Sequence, residues 1–239
     1  MAEGMTQDQI TNSERMFTGS SKTNNDFFEE NGYYVYKNIC DPKDYVRPVP
    51  TQGGLINYWG NKLNQFNYES LECQVEGSLA CYAHPQYRQK HSQIRLKIEK
   101  VIGKKLYNTY YYDRYYFKDQ ELAKHTDRPA CEISVSINIA SNLSQPWPLW
   151  IKTPDEYENK HRFKVTKRGE NRSVILNPGD GMIYKGCERP HWREAMPKEY
   201  KRTWYGKKVE REDVYYHQIF FHYVLADGLR AHCAFDASR

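Results

Sequence analysis

The segment CEISVSINI, residues 131–139, alternates apolar and polar side chains without interruption. Successive side chains of an extended strand point to opposite faces, so this alternation predicts a β-strand and disfavours a helix. It also predicts that one face of the strand is buried. The apolar positions are Ile133, Val135, Ile137 and Ile139, and the polar positions between them are Glu132, Ser134, Ser136 and Asn138.

Other parts of the chain extend this β pattern. The 21 tyrosines among 239 residues favour half-buried pleated surfaces. Short strands separated by turn residues are predicted at 106–117, 147–152, 162–166, 173–177, 181–185 and 214–225. A short helix, a turn at Gly32 and a strand from Tyr33 to Ile39 precede them. The predicted fold is therefore mainly β with flanking α-helices, as in a sandwich or barrel.

The clearest helix is predicted from about Pro85 to Lys100, with Gly103 as its stop. Its apolar residues recur on one face, which would pack on the strands. In domain terms we expect a flexible N-terminal segment at 1–25 and a single domain at 26–239. The core of that domain would be 106–236, with helical support from 41–105.

The bulk properties narrow the class of protein. No apolar stretch approaches the eighteen or so residues that span a bilayer, and the N-terminus lacks the features of a signal peptide. The six cysteines are scattered without a CxxC pair, which disfavours a zinc cluster and fits a reducing compartment. We therefore expect a cytoplasmic protein without a membrane partner. The net charge of +5 contains no long basic run and does not favour nucleic acid.

Three residues carry the candidate chemistry. His125 and Asp127 are spaced i, i+2, so a strand would point both side chains to one side. His191 follows 64 positions later (191 − 127), just after a strand introduced by an NPGD turn. Two histidines and one carboxylate on one face of a metal are the ligand set of non-haem iron(II) oxygenases.

The sequence around these residues resembles a known family. The stretches YNTYYYDRYYFKDQELAKHTDRPACEISVSIN and NPGDGMIYKGCERPHWRE are similar to the double-stranded β-helix core (a jelly-roll, cupin-like fold) of Fe(II)/2-oxoglutarate-dependent dioxygenases. The prolyl-4-hydroxylase-like branch is the most similar. FFEENGYYVYKNICDP resembles the entry segment of that superfamily, and QIFFHYV resembles its last core strand. The resemblance covers residues 26–40 and 106–236.

The resemblance implies roles for individual residues. His125, Asp127 and His191 match the iron ligands and hence the catalytic centre. Tyr116 matches a tyrosine that binds the cosubstrate carboxylate, although packing in the core is an equal alternative. The family usually carries an Arg or Lys at the start of the last strand to hold the far carboxylate, and here His217 and Gln218 occupy that region.

The cation that would hold the cosubstrate is thus left open. Arg114 is the preferred substitute, because it lies at i−2 from Tyr116 and shares its face of a strand. Arg193, Arg128 and His217 are the other candidates. For each of them a position on the solvent face is the competing interpretation.

The activity implied is a dioxygenase that couples oxidative decarboxylation of 2-oxoglutarate to hydroxylation, with iron(II), 2-oxoglutarate and, as a candidate reductant, ascorbate. The retained Asp127 argues against halogenation. The substrate would be a prolyl or other peptidyl residue, or a small molecule. The alternative is a non-catalytic cupin-like protein that binds a metal or ligand, because fold alone proves no activity.

Overall fold

A computed structural model of the protein describes residues 23–50, 74–158 and 164–235. It contains two α-helices and fourteen β-strands in these ranges, with 3₁₀ turns between them. In chain order the helices and strands are α1 (Asn24–Asn31), β1 (Tyr33–Tyr36), β2 (Leu79–Tyr82), α2 (Arg88–Ile102), β3 (Leu106–Phe117), β4 (Leu122–His125), β5 (Ile133–Ser141), β6 (Leu149–Lys152), β7 (Glu156–Tyr157), β8 (Val165–Lys167), β9 (Asn171–Val174), β10 (Gly181–Tyr184), β11 (His191–Arg193), β12 (Tyr200–Arg202), β13 (Lys208–Glu210) and β14 (Tyr215–Leu225).

Two antiparallel sheets form the body of the protein. The main sheet has the strand order β1-β10-β5-β14-β3-β2, and the second sheet has the order β4-β11-β6-β9. Their inner faces pack on each other through buried residues such as Tyr184 and Met182 of the main sheet and Leu149 and Ile151 of the second. Two hairpins, β7–β8 and β12–β13, lie outside these sheets. The space between the two sheets is where buried side chains of distant segments meet.

The alternating segment forms β5, but both of its faces are buried. Ile133, Val135, Ile137 and Ile139 pack against the helices, as predicted. Ser134, Ser136 and Asn138 were expected to face solvent, and their exposed fractions are only 0%, 1% and 3%. They face the second sheet and are hydrogen-bonded there; for example, Asn138 Nδ2 donates to the Leu176 carbonyl at 2.7 Å. The same alternation of apolar and polar residues occurs whether the polar face lines an internal space or faces water, so the sequence cannot distinguish the two.

Helix α2 covers the outer face of the main sheet. Ile94, Ile98, Val101 and Ile102 are all buried, which confirms the predicted stripe. The helix ends at Gly103, whose φ of 65° is the left-handed conformation that closes a helix without strain. Pro85 begins a separate 3₁₀ turn, Pro85–Tyr87, so the α-helix starts later than predicted.

The N-terminal entry follows the predicted order with a shorter strand. Thr23 and Asp26 form a capping box at the start of α1, and Gly32 ends it at φ 75°. β1 stops at Tyr36 and does not continue to Ile39, because Asn38 turns at φ 52° and its N–H donates to Asp180. β1 then pairs with β10 at the edge of the main sheet.

Two segments depart from the prediction. The region 41–105 was expected to supply helical support, yet its described part also contributes β2, which pairs with β3. Residues 196–213, where no strand was predicted, contain the hairpin β12–β13. Residues 1–22 of the predicted flexible segment, and residues 51–73, lie outside the described ranges. Among the described residues, no helix combines the length and apolarity that a membrane crossing requires.

Packing of α2 on the sheet can be tested by a matched pair of substitutions. Ile98 is fully buried, whereas Leu96 on the same helix is 52% exposed. We expect Ile98→Ala to lower the free energy of unfolding by about 2–4 kcal/mol, because it leaves a cavity in the core between α2 and the main sheet. Leu96→Ala should change it by less than about 0.5 kcal/mol. Urea unfolding followed by circular dichroism measures both, and equal effects would contradict this packing.

Candidate metal centre

The three predicted metal ligands meet at the edge of the second sheet. His125 is the last residue of β4 and lies directly opposite His191, the first residue of β11. Asp127 follows two residues after His125. Its Oδ1 lies 3.6 Å from His125 Nε2 and 3.5 Å from His191 Nε2, and all three ligand atoms lie within 4.8 Å of one another. The structure therefore brings together residues 64 positions apart in one small cluster.

The protonation of both imidazoles is set by backbone carbonyls. His125 Nδ1 lies 2.8 Å from the Ala123 carbonyl, and His191 Nδ1 lies 3.0 Å from the Arg189 carbonyl. A carbonyl oxygen can only accept, so each Nδ1 must carry the proton. In the neutral ring, Nε2 is then the atom that carries the lone pair, and it faces the cluster. A backbone contact on the remote nitrogen is the usual way in which proteins orient a metal-binding histidine.

Asp127 is held on three sides. Its Oδ2 accepts a hydrogen bond from Ser134 Oγ at 2.9 Å, and its backbone N–H donates to the Gly186 carbonyl at 2.9 Å. Burial raises the pKa of the Asp127 carboxyl, but the adjacent imidazoles of His191 and His125 outweigh burial and keep the pKa well below its usual range. The carboxylate is therefore ionised and fixed, with Oδ1 directed at the two Nε2 atoms.

Gly186 makes this placement of Asp127 possible. A Cβ at Gly186 would lie 2.4 Å from Asp127 Oδ2 and 2.3 Å from the Cys131 carbonyl. Real Cβ atoms do not approach other atoms this closely. Any larger residue at position 186 must therefore displace the carboxylate or the loop that carries it.

A buried histidine lies behind the cluster. His222 Nδ1 is 2.9 Å from Ser134 Oγ, which also donates to Asp127. Burial lowers the pKa of His222 to about 4, so its ring is neutral at physiological pH. The ligand atoms of Asp127, Cys131 and His222 also lie within 4.8 Å of one another. His222 thus supports the carboxylate through Ser134 from the inner face of β14.

The predicted cosubstrate residues Tyr116 and Arg114 share the inner face of β3. Arg114 Nη1 donates to Tyr116 Oη at 3.2 Å, and Nη2 donates to Gln74 Oε1 at 3.0 Å. The other end of the Gln74 amide lies 2.8 Å from His125 Nε2. Gln74 thus links this guanidinium to the cluster and occupies the nitrogen that a metal would take, so it must turn away when a metal binds.

Arg193 is the second buried guanidinium of this space, with an exposed fraction of 1%. It lies two residues after His191, donates from Nη1 to the Trp147 carbonyl and from Nη2 to Gln218 Oε1 at 2.8 Å, and packs against the rings of Trp147 and Tyr216. Within the described ranges no carboxylate lies within 4.0 Å of it. Among the residues that the structure describes, the buried Arg193 Nε and Gln218 Nε2 have no hydrogen-bond partner. A buried cation surrounded by neutral groups and unused N–H donors is costly unless an anion joins it.

His217 does not share this space. It lies on the outer face of β14, where its Nε2 is 2.8 Å from Asp113 Oδ2 and its ring stacks on Tyr115 at 4.0 Å. Neighbouring positions of a strand point to opposite faces, so His217 and Gln218 cannot serve the same pocket. We therefore remove His217 from the candidate cosubstrate residues. Arg128 lies at the rim beside the Tyr110 ring, 4.4 Å from its centroid.

Sequence reasoning missed several residues that shape the centre. Ser134 and Gln218 belong to strand faces that sequence reasoning treated as solvent-facing or as the place of a missing cation. Tyr184 packs its ring 4.6 Å from that of His191 and is fully buried, which raises the pKa of its hydroxyl well above the usual value. Gly186 carried no signal beyond being a glycine near His191.

The comparison with known proteins rests on structure alone, because the chain matches no protein-family model and no curated protein. It is similar to a prolyl-4-hydroxylase from Pseudomonas putida, with a TM-score of 0.50 and 12% identity over 82% of this chain and 95% of that one. It is also similar to SnoN, a non-heme alpha ketoglutarate dependent epimerase from nogalamycin biosynthesis, with a TM-score of 0.52 and 10% identity over 91% and 84% of the two chains. It is similar as well to EvdO2 from Micromonospora carbonacea var. aurantiaca, with a TM-score of 0.51 and 8% identity over 89% of this chain and 97% of that one.

These similarities decide the architecture. The fold is the double-stranded β-helix. The prediction of a mainly β chain with such a core is therefore confirmed. At 8–12% identity the likeness extends to the fold and not to a reaction or substrate.

The role of Gly186 gives a test of the centre that leaves the ligands in place. We expect Gly186→Ala to weaken binding of a divalent metal by at least about 10-fold, because its Cβ displaces Asp127. The measurement is titration of the metal-free protein with manganese(II), followed by electron paramagnetic resonance. The control is Leu96→Ala, which changes a side chain that is 52% exposed on the outer helix α2. Unchanged metal affinity in Gly186→Ala would show that Asp127 is not a ligand.

Proposed function

We propose that the protein is a non-haem iron(II) dioxygenase that uses 2-oxoglutarate to hydroxylate a substrate. The observation that carries this proposal is the cluster of His125, Asp127 and His191, in which both Nε2 lone pairs and one carboxylate oxygen face a common point. Two imidazoles and one carboxylate are the donor set of such iron sites. The double-stranded β-helix is the fold of the enzymes compared above, which supports the class without proving it.

The charge and the orientation of these three residues fit an iron(II) ion. Asp127 supplies one negative charge, and the imidazoles of His125 and His191 supply one Nε2 ligand atom each. When bound, iron(II) with 2-oxoglutarate and oxygen would supply an oxidative decarboxylation that yields succinate and carbon dioxide and hydroxylates the substrate. The protein's own contribution is to orient the three ligands, keep Asp127 ionised and exclude water from the space between the sheets.

For the far carboxylate of 2-oxoglutarate we propose Arg193 as the partner, in place of a cation on the last strand. A buried guanidinium is the natural partner of a carboxylate, because its paired N–H groups match both oxygens. Arg193 shares β11 with His191 and, two residues on, faces the same side. Its unused Nε–H and the unused Gln218 amide are donors that such a carboxylate would satisfy.

Arg114 with Tyr116 remains the second candidate for this carboxylate. In its favour, the Gln74 amide contacts the Arg114 guanidinium at one end and His125 at the other. A dicarboxylate between the metal and Arg114 would make the same two contacts. Each guanidinium already donates two hydrogen bonds, and Arg193 differs in having the unused Gln218 amide donor beside it. The two candidates make different predictions for substitution.

The substrate is proposed only as a class. A prolyl or other peptidyl residue remains our leading candidate because of the resemblance to the prolyl-4-hydroxylase-like branch, and a small molecule is the alternative. The fold alone does not choose between them, since a prolyl-4-hydroxylase and an antibiotic-pathway epimerase share it. Because Asp127 keeps its carboxylate in the ligand set, we propose hydroxylation in preference to halogenation.

A non-catalytic cupin-like binding protein is the rival function. The observation that favours it is the sequence of β14, YYHQIFFHYVL, which holds no Arg or Lys where the family usually places the carboxylate-binding cation. In that case the cluster would bind a metal without turning over 2-oxoglutarate.

Anaerobic addition of iron(II) and 2-oxoglutarate separates the two functions. We expect a weak visible charge-transfer band from the chelated cosubstrate, and its loss in His125→Ala and His191→Ala because each variant removes one ligand. Asp127→Ala should also abolish the release of succinate from 2-oxoglutarate in air. His232→Ala serves as the control, since His232 is an exposed histidine outside the cluster of three ligands. Binding of iron without the band would favour the cupin-like function.

Substitution of the two arginines identifies the carboxylate partner. We expect Arg193→Gln to weaken 2-oxoglutarate binding by at least about 30-fold, or about 2 kcal/mol, because a buried carboxylate loses its cation. Manganese(II) affinity should stay unchanged. Arg114→Gln should have a smaller effect, and Arg168→Gln, whose side chain is 79% exposed, should have none. Isothermal titration of the manganese-loaded protein measures all three, and a larger effect at Arg114 would move the assignment there.

A further inference from the structure

The hairpin β12–β13 projects from the body of the protein with aromatic rings at its tip. Trp204 is 96% exposed and Tyr205 is 61% exposed. The turn at 203–207, which carries both rings, is closed by two hydrogen bonds. Thr203 N–H donates to the Lys207 carbonyl and Gly206 N–H donates to the Thr203 carbonyl, each at 2.9 Å. Gly206 adopts φ 84°, which glycine tolerates. A rigid turn therefore holds an indole almost entirely in solvent.

The base of the hairpin is fixed to the barrel at the end away from the metal cluster. Lys118, just after β3, forms ion pairs with Glu210 and Glu212, and Arg211 donates to the Asn142 carbonyl at 2.9 Å. Glu199 accepts hydrogen bonds from the backbone and side chain of Ser144. The acidic residues of this region are thus engaged at the base, and the tip extends as a defined arm.

The tip is purely cationic. Residues 200–209, YKRTWYGKKV, contain four basic and no acidic side chains. Among the described residues none of these four cations forms an ion pair with a carboxylate. Arg202 and Lys208 lie directly opposite each other across the two strands, and like charges in such positions destabilise a hairpin. An anionic partner would relieve this repulsion. The four cations are Lys201, Arg202, Lys207 and Lys208.

The orientation of the rings indicates which anionic partner fits. The Trp204 and Tyr205 rings are 5.3 Å apart at an angle of 87°. Rings at this angle form no continuous flat platform for two successive stacked bases, which is the arrangement that favours single-stranded nucleic acid. Tryptophan and tyrosine beside lysine and arginine are, in contrast, the residues that sit at the boundary of lipid and water, where no parallel arrangement is required.

We propose that this hairpin is a membrane-surface anchor that binds anionic phospholipids. The aromatic tip enters the interface and the four cations behind it contact headgroup phosphates. At about 3.3 Å per residue, cations one or two positions behind the turn lie about 3–7 Å from it. The headgroup layer on each side of a bilayer is roughly 5–8 Å thick, so both sets of groups reach their partners at once. Such peripheral binding needs no membrane-spanning segment, so it departs from the expectation of no membrane partner, which rested on the absence of an apolar span. It is independent of the proposed enzymatic function.

The test uses the full chain and sedimentation with vesicles of phosphatidylcholine, with and without about 30% phosphatidylserine. We expect binding only to the anionic vesicles at low ionic strength, and its loss at about 0.5 M salt. The double variant Arg202→Gln, Lys208→Gln should bind about 25-fold more weakly, at about 5-fold per cation. Trp204→Ser should also reduce binding, and the blue shift of tryptophan emission on vesicle addition should be absent from Trp204→Phe.

Matched controls are Leu229→Ser, which removes an apolar side chain that is also 96% exposed, and Arg168→Gln. Both should bind like the parent chain. The proposal is overturned if anionic vesicles do not bind, or if the hairpin variants bind as well as the controls. It is also overturned if a single-stranded oligonucleotide displaces the vesicles at equal phosphate concentration. A dimer in sedimentation velocity that Trp204→Ser dissociates would assign the hairpin to a second copy of the chain, and would likewise reject the proposal.

Discussion

Polar side chains enclosed between two sheets impose the constraint on which the rest of this structure depends. A buried polar group costs free energy unless it is hydrogen-bonded, so every such residue of the inner face needs a defined partner. Ser134 meets this need by donating to Asp127, and Asn138 meets it at the Leu176 carbonyl. The apolar outer face of β5 supplies the burial against α2 that holds the sheet in register. One strand thus stabilises the fold with one face and builds the site with the other.

The geometry of the metal cluster follows from strand pairing. Because β4 and β11 are antiparallel neighbours, His125 and His191 lie opposite each other without any loop having to bring them together. The carbonyls of Ala123 and Arg189 then select the Nδ1–H form of each ring. Asp127 is just beyond the strand, where Gly186 leaves room for its carboxylate. Two backbone carbonyls and the space left by Gly186 therefore position most of the metal cluster.

The sequence predicted the fold better than the internal pocket, and the reason is physical. Alternation and turn residues report local geometry, so β5, β10, β14 and the buried stripe of α2 could be predicted from their own segments. The i, i+2 spacing of His125 and Asp127 also reports local geometry. The hairpin β12–β13 was missed because each of its strands has only three residues, mostly polar, and the edge strand β2 was missed because LACY is a short apolar run without alternation. The roles of Gln218, Gly186 and Gln74 depend on which distant segment faces them, and no local pattern carries that information.

The position of the buried cation illustrates how register decides the chemistry of the space between the sheets. On β14 the residue that faces inwards is Gln218, while His217 faces the helices and is engaged with Asp113. A cation at position 217 would therefore serve the outer layer, and one at 218 would lie beside Arg193, since the Gln218 amide oxygen is 2.8 Å from its Nη2. Two cations at that distance would repel each other without water to screen them. Once β11 supplies the guanidinium, the facing position of β14 is best filled by a neutral acceptor. Gln218 fits that requirement, and its second amide atom remains a donor for whatever anion Arg193 holds.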